Sequence, residues 1–381
     1  MVQVRRLPET KQGIFNVDAW LAQLPGFDDE ADRERMKLAC ELAKKIQPQT
    51  PENIKRERPS YLESGLEMAA ILSELQLDEE SLIAAVVYPV VASNQVKQSE
   101  IATQLGQEVA DLIAGVLRMA AISELHSDRQ PVLGQRGAQV DNIRKMLVAL
   151  VDDVRVGLIK LAERTQTIRE LKNAPADVQQ RVAREVNDVY APLAHRLGIG
   201  HIKWELEDIA FRYLHVDAYK NIAGLLDEKR LTRQGYIENV TEHVKNELLK
   251  AGIEAEVAGR AKHISSIWKK MQRKGISFDQ LYDIRAIRIM VDELRDCYAS
   301  LGVVHTLWRN IPGEFDDYIA NPKINGYRSL HTAVIGPDAQ ILEVQIRTRD
   351  MHREAELGVC AHWLYKGTDV DAKSQSYELK I

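Results

Sequence analysis

Apolar positions recur every three to four residues through the first two thirds of the chain and every second residue in parts of the remainder. The pattern predicts a helical front followed by a mixed α/β back. Over 29–46, Met36, Leu38, Ala39, Leu42 and Ala43 form one stripe, acids open the segment and Lys44-Lys45 close it. That is the polarity a helix dipole favours, and Pro48 and Pro51 then stop the helix. Similar spans are expected at 61–75, 79–91, 108–123 and 140–173, the last breaking near Asp152-Asp153, with a loop at 127–138 around Pro131, Gly134 and Gly137. The helical period continues over 182–249, interrupted by Gly198-Ile-Gly200. Its charged runs, Trp204-Glu-Leu-Glu-Asp and Asp227-Glu-Lys-Arg-Leu-Thr-Arg, suit exposed faces of a connecting bundle.

Near Gly252 the period changes. A strand is expected at 253–257, a helix at 263–274, a β-branched strand at 284–291 and a helix at 292–308. Residues 332–335 and 341–347 should pair as a hairpin about Gly336-Pro337-Asp338. The reading divides the chain into a helical domain at 1–195, a helical connecting bundle at 196–250, an α/β domain at 251–370 and a tail at 371–381.

Composition narrows the function classes. The chain has 381 residues and a net charge of −5. It contains no apolar run long enough for a membrane, and its N-terminus lacks the apolar core of a signal peptide, so a cytoplasmic protein is expected. Cys40, Cys297 and Cys360 are few and lack metal-ligand spacing, which fits reduced thiols and no disulfides. The acidic balance gives no reason to expect a duplex nucleic acid, yet 260–274 carries six Lys or Arg residues and no acid. A concentrated basic face in an acidic protein suits a small polyanion.

The densest chemistry lies in Asn321-Pro-Lys-Ile-Asn-Gly-Tyr-Arg-Ser-Leu-His331 and Ile341-Leu-Glu-Val-Gln-Ile-Arg-Thr348. A glycine turn carries Lys323, Asn325, Tyr327 and His331, and alternation puts Glu343, Gln345 and Arg347 on one face of a strand. A carboxylate beside cations and an aromatic platform can hold Mg²⁺ and a polyphosphate together. Each group also has a plainer reading. The basic helix can be a solvated face, Asp283 can pair with Arg285 or Arg288, Tyr327 can fill a core gap, and His331 can be structural. Glu314-Phe-Asp-Asp317 can be a hydrated turn.

These two stretches, together with Gly259-Arg-Ala-Lys-His-Ile-Ser-Ser-Ile-Trp-Lys-Lys-Met271, Phe278-Asp-Gln-Leu-Tyr-Asp-Ile-Arg-Ala-Ile-Arg288 and Met351-His-Arg-Glu-Ala-Glu-Leu-Gly-Val-Cys-Ala-His-Trp363, carry a resemblance. They resemble the synthetase domain of the long RelA/SpoT-family alarmone synthetases, which move pyrophosphate from ATP to the 3′-hydroxyl of GDP or GTP. The resemblance implies a mixed-sheet α/β fold like that of nucleotidyltransferases, preceded by an all-helical HD-type domain. It implies that Arg260, Lys262, Ser266 and Lys270 meet ATP, that Asp283 and Glu343 hold Mg²⁺, and that Glu343 takes the acceptor proton. Lys323, Asn325, Tyr327 and His331 would form the GDP/GTP side, Tyr327 stacking on guanine. Glu314, Asp316 and Asp317 match an acidic motif of synthetase-specialised members and would tune acceptor choice or metal response. His352 and His362 match further family positions without an assigned role.

The N-terminal half resembles the family's metal-dependent alarmone hydrolase with its ligands replaced. Ser64 stands where a His belongs, Tyr88-Pro89 replaces a His-Asp pair, Ala92-Ser93 replaces a Glu-Asp, and Glu163 stands for an Asp. Ser, Tyr, Pro and Ala make no transition-metal site in that arrangement, so this half reads as an inactive scaffold kept for structure or regulation. Long family members continue into ribosome- and tRNA-interacting domains, so the ribosome and uncharged tRNA are implied as partners of a full-length member through domains expected to be absent from this chain, which stops at Ile381. Two other functions stay open here. One is nucleotidyl transfer, for which Asp283-Ile-Arg285 lacks the usual Asp-x-Asp pair; the other is a non-catalytic guanine-nucleotide sensor or ribosome-associated regulator.

Overall fold

A computed structural model describes residues 17–22, 24, 27, 29–46, 60–127, 153–228, 230–278 and 285–361. The chain divides into two compact units between Leu193 and Ala194. In the first, helices α1 (Val17–Leu21), α2 (Glu30–Lys45), α3 (Tyr61–Glu74), α4 (Glu79–Ala92), α5 (Gln98–Leu105), α6 (Gln107–Ser127), α7 (Val154–Glu170) and α8 (Ala176–Glu185) are followed by a π-helical turn at Val186–Tyr190. The starts follow local chemistry. Asp29 accepts from Ala31 N, Ser60 and Glu63 form a reciprocal capping box, and Asp78 accepts from Ser81 N. Asp153 caps α7 at its start, and the part of the span expected at 140–173 that precedes it lies outside the described residues. The loop expected at 127–138 lies outside the described residues, apart from Ser127, which ends α6.

α4 is apolar around its whole circumference, with every residue from Ser81 to Tyr88 buried, so it forms the centre of this unit. It continues through Pro89 to Ala92.

The second unit opens with the end of α9 (Ala191–Arg196), then α10 (Gly200–Leu214), α11 (Val216–Glu228) and α12 (Arg230–Lys250). A five-stranded sheet follows in the order β1-β2-β5-β4-β3, built from β1 (Glu256–Gly259), β2 (Ala286–Val291), β3 (Asn310–Asp317), β4 (Leu330–Ile335) and β5 (Ile341–Thr348). β2 and β5 are parallel and the other pairings antiparallel. Helix α13 (Ile264–Lys274) lies between β1 and β2, α14 (Leu294–Leu307) between β2 and β3, and α15 (Arg349–Leu357) follows β5.

One sheet face is apolar. Ile287, Ile289, Val291, Leu330, Val334, Leu342, Val344 and Ile346 pack with Val240, Val244 and Leu248 of α12 and with Cys297 and Val304 of α14. Side chains alternate along a strand, so the opposite face receives Arg288, His331, Glu343, Gln345 and Arg347. Their co-facial placement is the register's consequence: His331 and Arg288 both stand opposite Gln345.

Three expectations need correction. The strand expected at 253–257 begins at Glu256, because Gly252 at φ +75° closes α12 and Ile253 N returns to Leu248 O, leaving Ile253 in the turn. Glu314-Phe-Asp-Asp317 is no turn but the end of edge strand β3, whose register shifts between Asn310 and Phe315. The run Trp204-Glu-Leu-Glu-Asp is no exposed face, since Glu205 and Asp208 are buried at 7% and 8% exposure.

Candidate active site

The polar sheet face, the turn before β4 and the start of α10 enclose a pocket of about 210 Å³. On the turn, Gly326 adopts φ +76° and donates to Lys323 O, which folds Lys323, Asn325 and Tyr327 back onto the sheet. Asn325 Oδ1 accepts from Tyr327 N at 3.3 Å, and its amide donates to His195 O at 3.4 Å. The wall from α10 approaches α15 through two glycines. Gly198 and Gly358 both have positive φ, and a Cβ on Gly358 would lie 2.1 Å from Leu197 O, so only glycine permits this contact.

Tyr327, His331 and Gln345 form one bonded group. The Tyr327 hydroxyl lies 2.8 Å from His331 Nε2, while the Gln345 amide donates to His331 Nε2 at 3.0 Å and to the Tyr327 hydroxyl at 2.5 Å. Burial pushes the His331 pKa down to about 4, so its ring is neutral near pH 7, and the Gln345 amide nitrogen, which can only donate, makes Nε2 the acceptor. Tyr318 stands edge-on to both rings, and Lys323 Nζ lies 4.2 Å from the Tyr318 ring centre and 5.4 Å from that of Tyr327. The result is an aromatic wall with a cation on it.

Two residues along the same strand, Glu343 is paired with Arg260 at 3.3 Å and also with Lys262. Arg260 follows β1 directly, held by Arg260 N to Ala286 O at 2.8 Å. Beyond it, α13 buries Ile264 and Ile267 and packs Trp268 and Met271 with Phe211 and Ile222, which leaves Ser266, Lys269, Lys270 and Arg273 on the opposite side. The structure thus places Arg260, Lys262 and Glu343 together, and Lys323, Asn325, Tyr327 and His331 together, on one face. Asp283 and His362 lie outside the described residues. His352 meets the side chains of the same face: its Nδ1 stands 2.6 Å from Arg347 Nη2, and burial together with Arg347 and Arg288 pushes its pKa down to about 4. Arg347 itself is 2% exposed.

The acidic motif separates into distinct parts. Glu314 pairs with Lys274 of α13 at 3.0 Å. Asp316 stands opposite His331 in the β3–β4 register and faces the site. Asp317 accepts from Ile319 N, Ala320 N and Tyr298 OH, which makes it the stop of β3. Asp316→Asn is therefore expected to leave the thermal midpoint unchanged while altering the kinetics of the ligand that the pocket takes. Asp317→Asn should instead lower the thermal midpoint, through a loss of about 1 kcal/mol. Steady-state kinetics and thermal unfolding on the two single variants separate these outcomes.

His195, Lys203, Trp204, Tyr318 and Glu354 also belong to this region; Glu354 lies in the motif at 351–363 and Trp204 in a charged run, but no sequence pattern gives any of the five a site role. Tyr318 directly follows the acidic motif; the others come from helices whose approach to the sheet is tertiary. A Mg²⁺ ion fits the donor set. Glu343 offers hard oxygen, and among the described residues no group of three His, Cys, Asp or Glu forms a ready cage. Mg²⁺ is typically held by one or two carboxylates plus phosphate oxygens and water, so such a cage is not needed.

The chain is similar in sequence to known proteins. Residues 39–200 match the HD domain and 259–370 match the region found in RelA / SpoT proteins. A GTP pyrophosphokinase of Escherichia coli (strain K12) is 47% identical over 366 residues, 96% of this chain and 48% of the relative. One of Myxococcus xanthus is 43% identical over 306 residues, 80% of this chain and 40% of the relative. The chain spans about half the length of the curated relatives it matches. Among solved structures, the small alarmone synthetase 1 from Bacillus subtilis bound to its product pppGpp is 26% identical, covering 39% of this chain and 83% of that one, at a TM-score of 0.30.

Proposed function

We propose, from the premise that this chain belongs to the RelA/SpoT family, that it transfers pyrophosphate from ATP to the 3′-hydroxyl of GDP or GTP, releasing AMP. The observation that supports this most is one strand face. Glu343 meets the cations Arg260 and Lys262, and Gln345, the next residue on that face, is bonded to Tyr327 and His331. A donor polyphosphate site and an acceptor base site are thereby adjacent.

In this reading the ATP phosphates draw Arg260 and Lys262 by charge-assisted hydrogen bonds and release Glu343 from both. Ser266 and Lys270 extend the same polar side of α13 along the triphosphate. Guanine stacks on Tyr327, held upright by His331 and Gln345, while Lys323 and Asn325 close over the acceptor. The acceptor 3′-oxygen attacks the β-phosphorus of ATP, the bond to the α-phosphate bridging oxygen breaks, and AMP leaves with that electron pair. Glu343 takes the hydroxyl proton. Asp283 and Glu343 would hold Mg²⁺, which when bound neutralises phosphate charge and polarises the phosphorus. Incubation with ATP, Mg²⁺ and GDP or GTP should yield AMP and a 3′-pyrophosphorylated guanosine nucleotide. Release of pyrophosphate with transfer of AMP would establish nucleotidyl transfer instead, and binding without turnover would establish a sensor.

We propose further that the first unit does not hydrolyse the product. Ser64 accepts from Gln166 at 3.3 Å, Tyr88 is buried, and Ser93 Oγ donates to Val90 O at the end of α4. Glu163 is locked between Lys160 at 2.8 Å and Arg164 at 2.7 Å. Burial pushes the Glu163 carboxyl upward, but the two cations outweigh it and hold its pKa at about 2. The site is occupied by ion pairs and apolar packing. Added Mn²⁺ should give no release of pyrophosphate from ppGpp, and a rate abolished by chelation would refute this. Tyr88→His with Pro89→Asp should not restore activity, since Ser64, Ala92, Ser93 and Glu163 remain. The second unit is read as the synthetase, with 196–250 connecting it. No helix among the described residues is long and apolar enough to cross a membrane, which fits a cytoplasmic enzyme.

A further inference from the structure

Helix α13 begins without a cap of its own, because its N-cap residue His263 makes no side-chain bond to the first-turn amides. The acceptor comes from another helix. Asp208 Oδ1, on α10, accepts from Ser265 N at 2.8 Å, and Oδ2 lies 3.2 Å from His263 Nδ1. One turn earlier on α10, Trp204 stacks on the His263 ring with centroids 5.3 Å apart and planes at 20°. The Arg260 guanidinium lies over that same indole at 5.9 Å. A carboxylate at a helix N-terminus satisfies an open amide and meets the positive end of the helix dipole. Burial would raise the Asp208 pKa, but the bonds from His263 and Ser265 outweigh it and hold the group ionised below its ordinary range.

We infer that Asp208, aided by Trp204, is a positioning residue for the donor nucleotide: acting through His263 and Ser265, it fixes the segment that carries Arg260 and Lys262. The geometry requires a tertiary anchor, because the segment 260–263 has no regular structure and runs between the end of β1 and the start of α13. Its cations are useful to a triphosphate only when held in place before the ligand arrives. Asp208 touches neither of those cations' charged ends, so its effect should fall on one substrate and not on both. Guanine-side residues Tyr327, His331 and Gln345 take their positions from the sheet and the turn at Gly326, and Asp208 bonds to none of them.

This inference rests on the donor role proposed for Arg260 and Lys262, and the test separates the two. Binding of α,β-methylene ATP and, separately, of GDP to the full chain is measured by isothermal titration for the parent, Asp208→Asn and Arg260→Ala. Asp208→Asn keeps the shape but can accept at only one of its two bonds, and it loses the charge. It should weaken the ATP analogue roughly 5- to 10-fold and leave GDP within about 2-fold, the retained GDP affinity reporting a folded protein. Asp208→Glu, which restores the charge, should recover part of the loss. Equal weakening toward both nucleotides would make Asp208 a general structural residue and overturn the inference, as would parental affinity for both. Should Arg260→Ala weaken the ATP analogue while Asp208→Asn does not, the positioning role alone falls. Should Arg260→Ala leave it unchanged, the donor assignment falls and the positioning role with it.

Discussion

Glu343→Gln is expected to lower kcat at least ~10²-fold while leaving the fold intact. Glutamine keeps the length and the hydrogen-bonding oxygen but removes the charge and the capacity to take a proton. The position is well prepared for the substitution to be tolerated structurally: Glu343 sits mid-strand between Ala286 of β2 and Ala333 of β4, with its backbone in both ladders. Arg260, Lys262 and Glu343 are only 22%, 13% and 16% exposed at their side chains, so loss of the ion pairs should lower stability while the strand keeps the fold. Those cations then meet ATP without a competing carboxylate, so the KM for ATP should hold or fall while kcat drops. That split distinguishes a catalytic carboxylate from one that merely positions Arg260 and Lys262, whose loss would raise the KM for ATP. Steady-state kinetics checked by circular dichroism decide the matter, and near-parental kcat would leave the proposed mechanism without its base.

Tyr327→Ala should act on the other substrate. A stacking ring contributes alike before and during the reaction, so its removal should raise the KM for GDP or GTP by the equivalent of roughly 1–3 kcal/mol with kcat little changed. The structure adds a second consequence. The Tyr327 hydroxyl is bonded to both His331 and Gln345, so truncation also releases these two side chains from their shared partner. Tyr327→Phe retains the ring and removes only that link. It should show the smaller rise in KM, and the difference between the two variants measures stacking apart from the bonded group. Equal effects of Phe and Ala would assign Tyr327 to holding His331 and Gln345, with no base stacked on it.

Much of this was legible in the chain. The caps Asp29, Ser60, Asp78 and Asp153 lie at or beside the boundaries that periodicity predicts, because capping is a contact within a few residues. The β4–β5 hairpin and the common face of Glu343, Gln345 and Arg347 follow from alternation, and the two sides of α13 follow from helical spacing. Edge strand β3 was missed, since Gly313, Pro312 and three acids give an exposed edge no apolar alternation to read. Asp317 looked like one of three equivalent carboxylates, and only its three bonds make it the stop of the strand.

The sequence by itself therefore determined the helical front, the α/β back, the basic side of α13 and the residue types on both sides of the pocket, because each depends on neighbours one turn or one strand position away. Tertiary structure alone decided which groups meet. Glu343 reaches Arg260 and Lys262 across 83 and 81 residues, His195 reaches Asn325 across 130, and Asp208 caps a helix that begins more than fifty residues later. Such pairings depend on sheet order and on how α10 packs against α13 and α15. No local period encodes these, so buried acids such as Glu205 and Asp208 look in the sequence like any solvated charge.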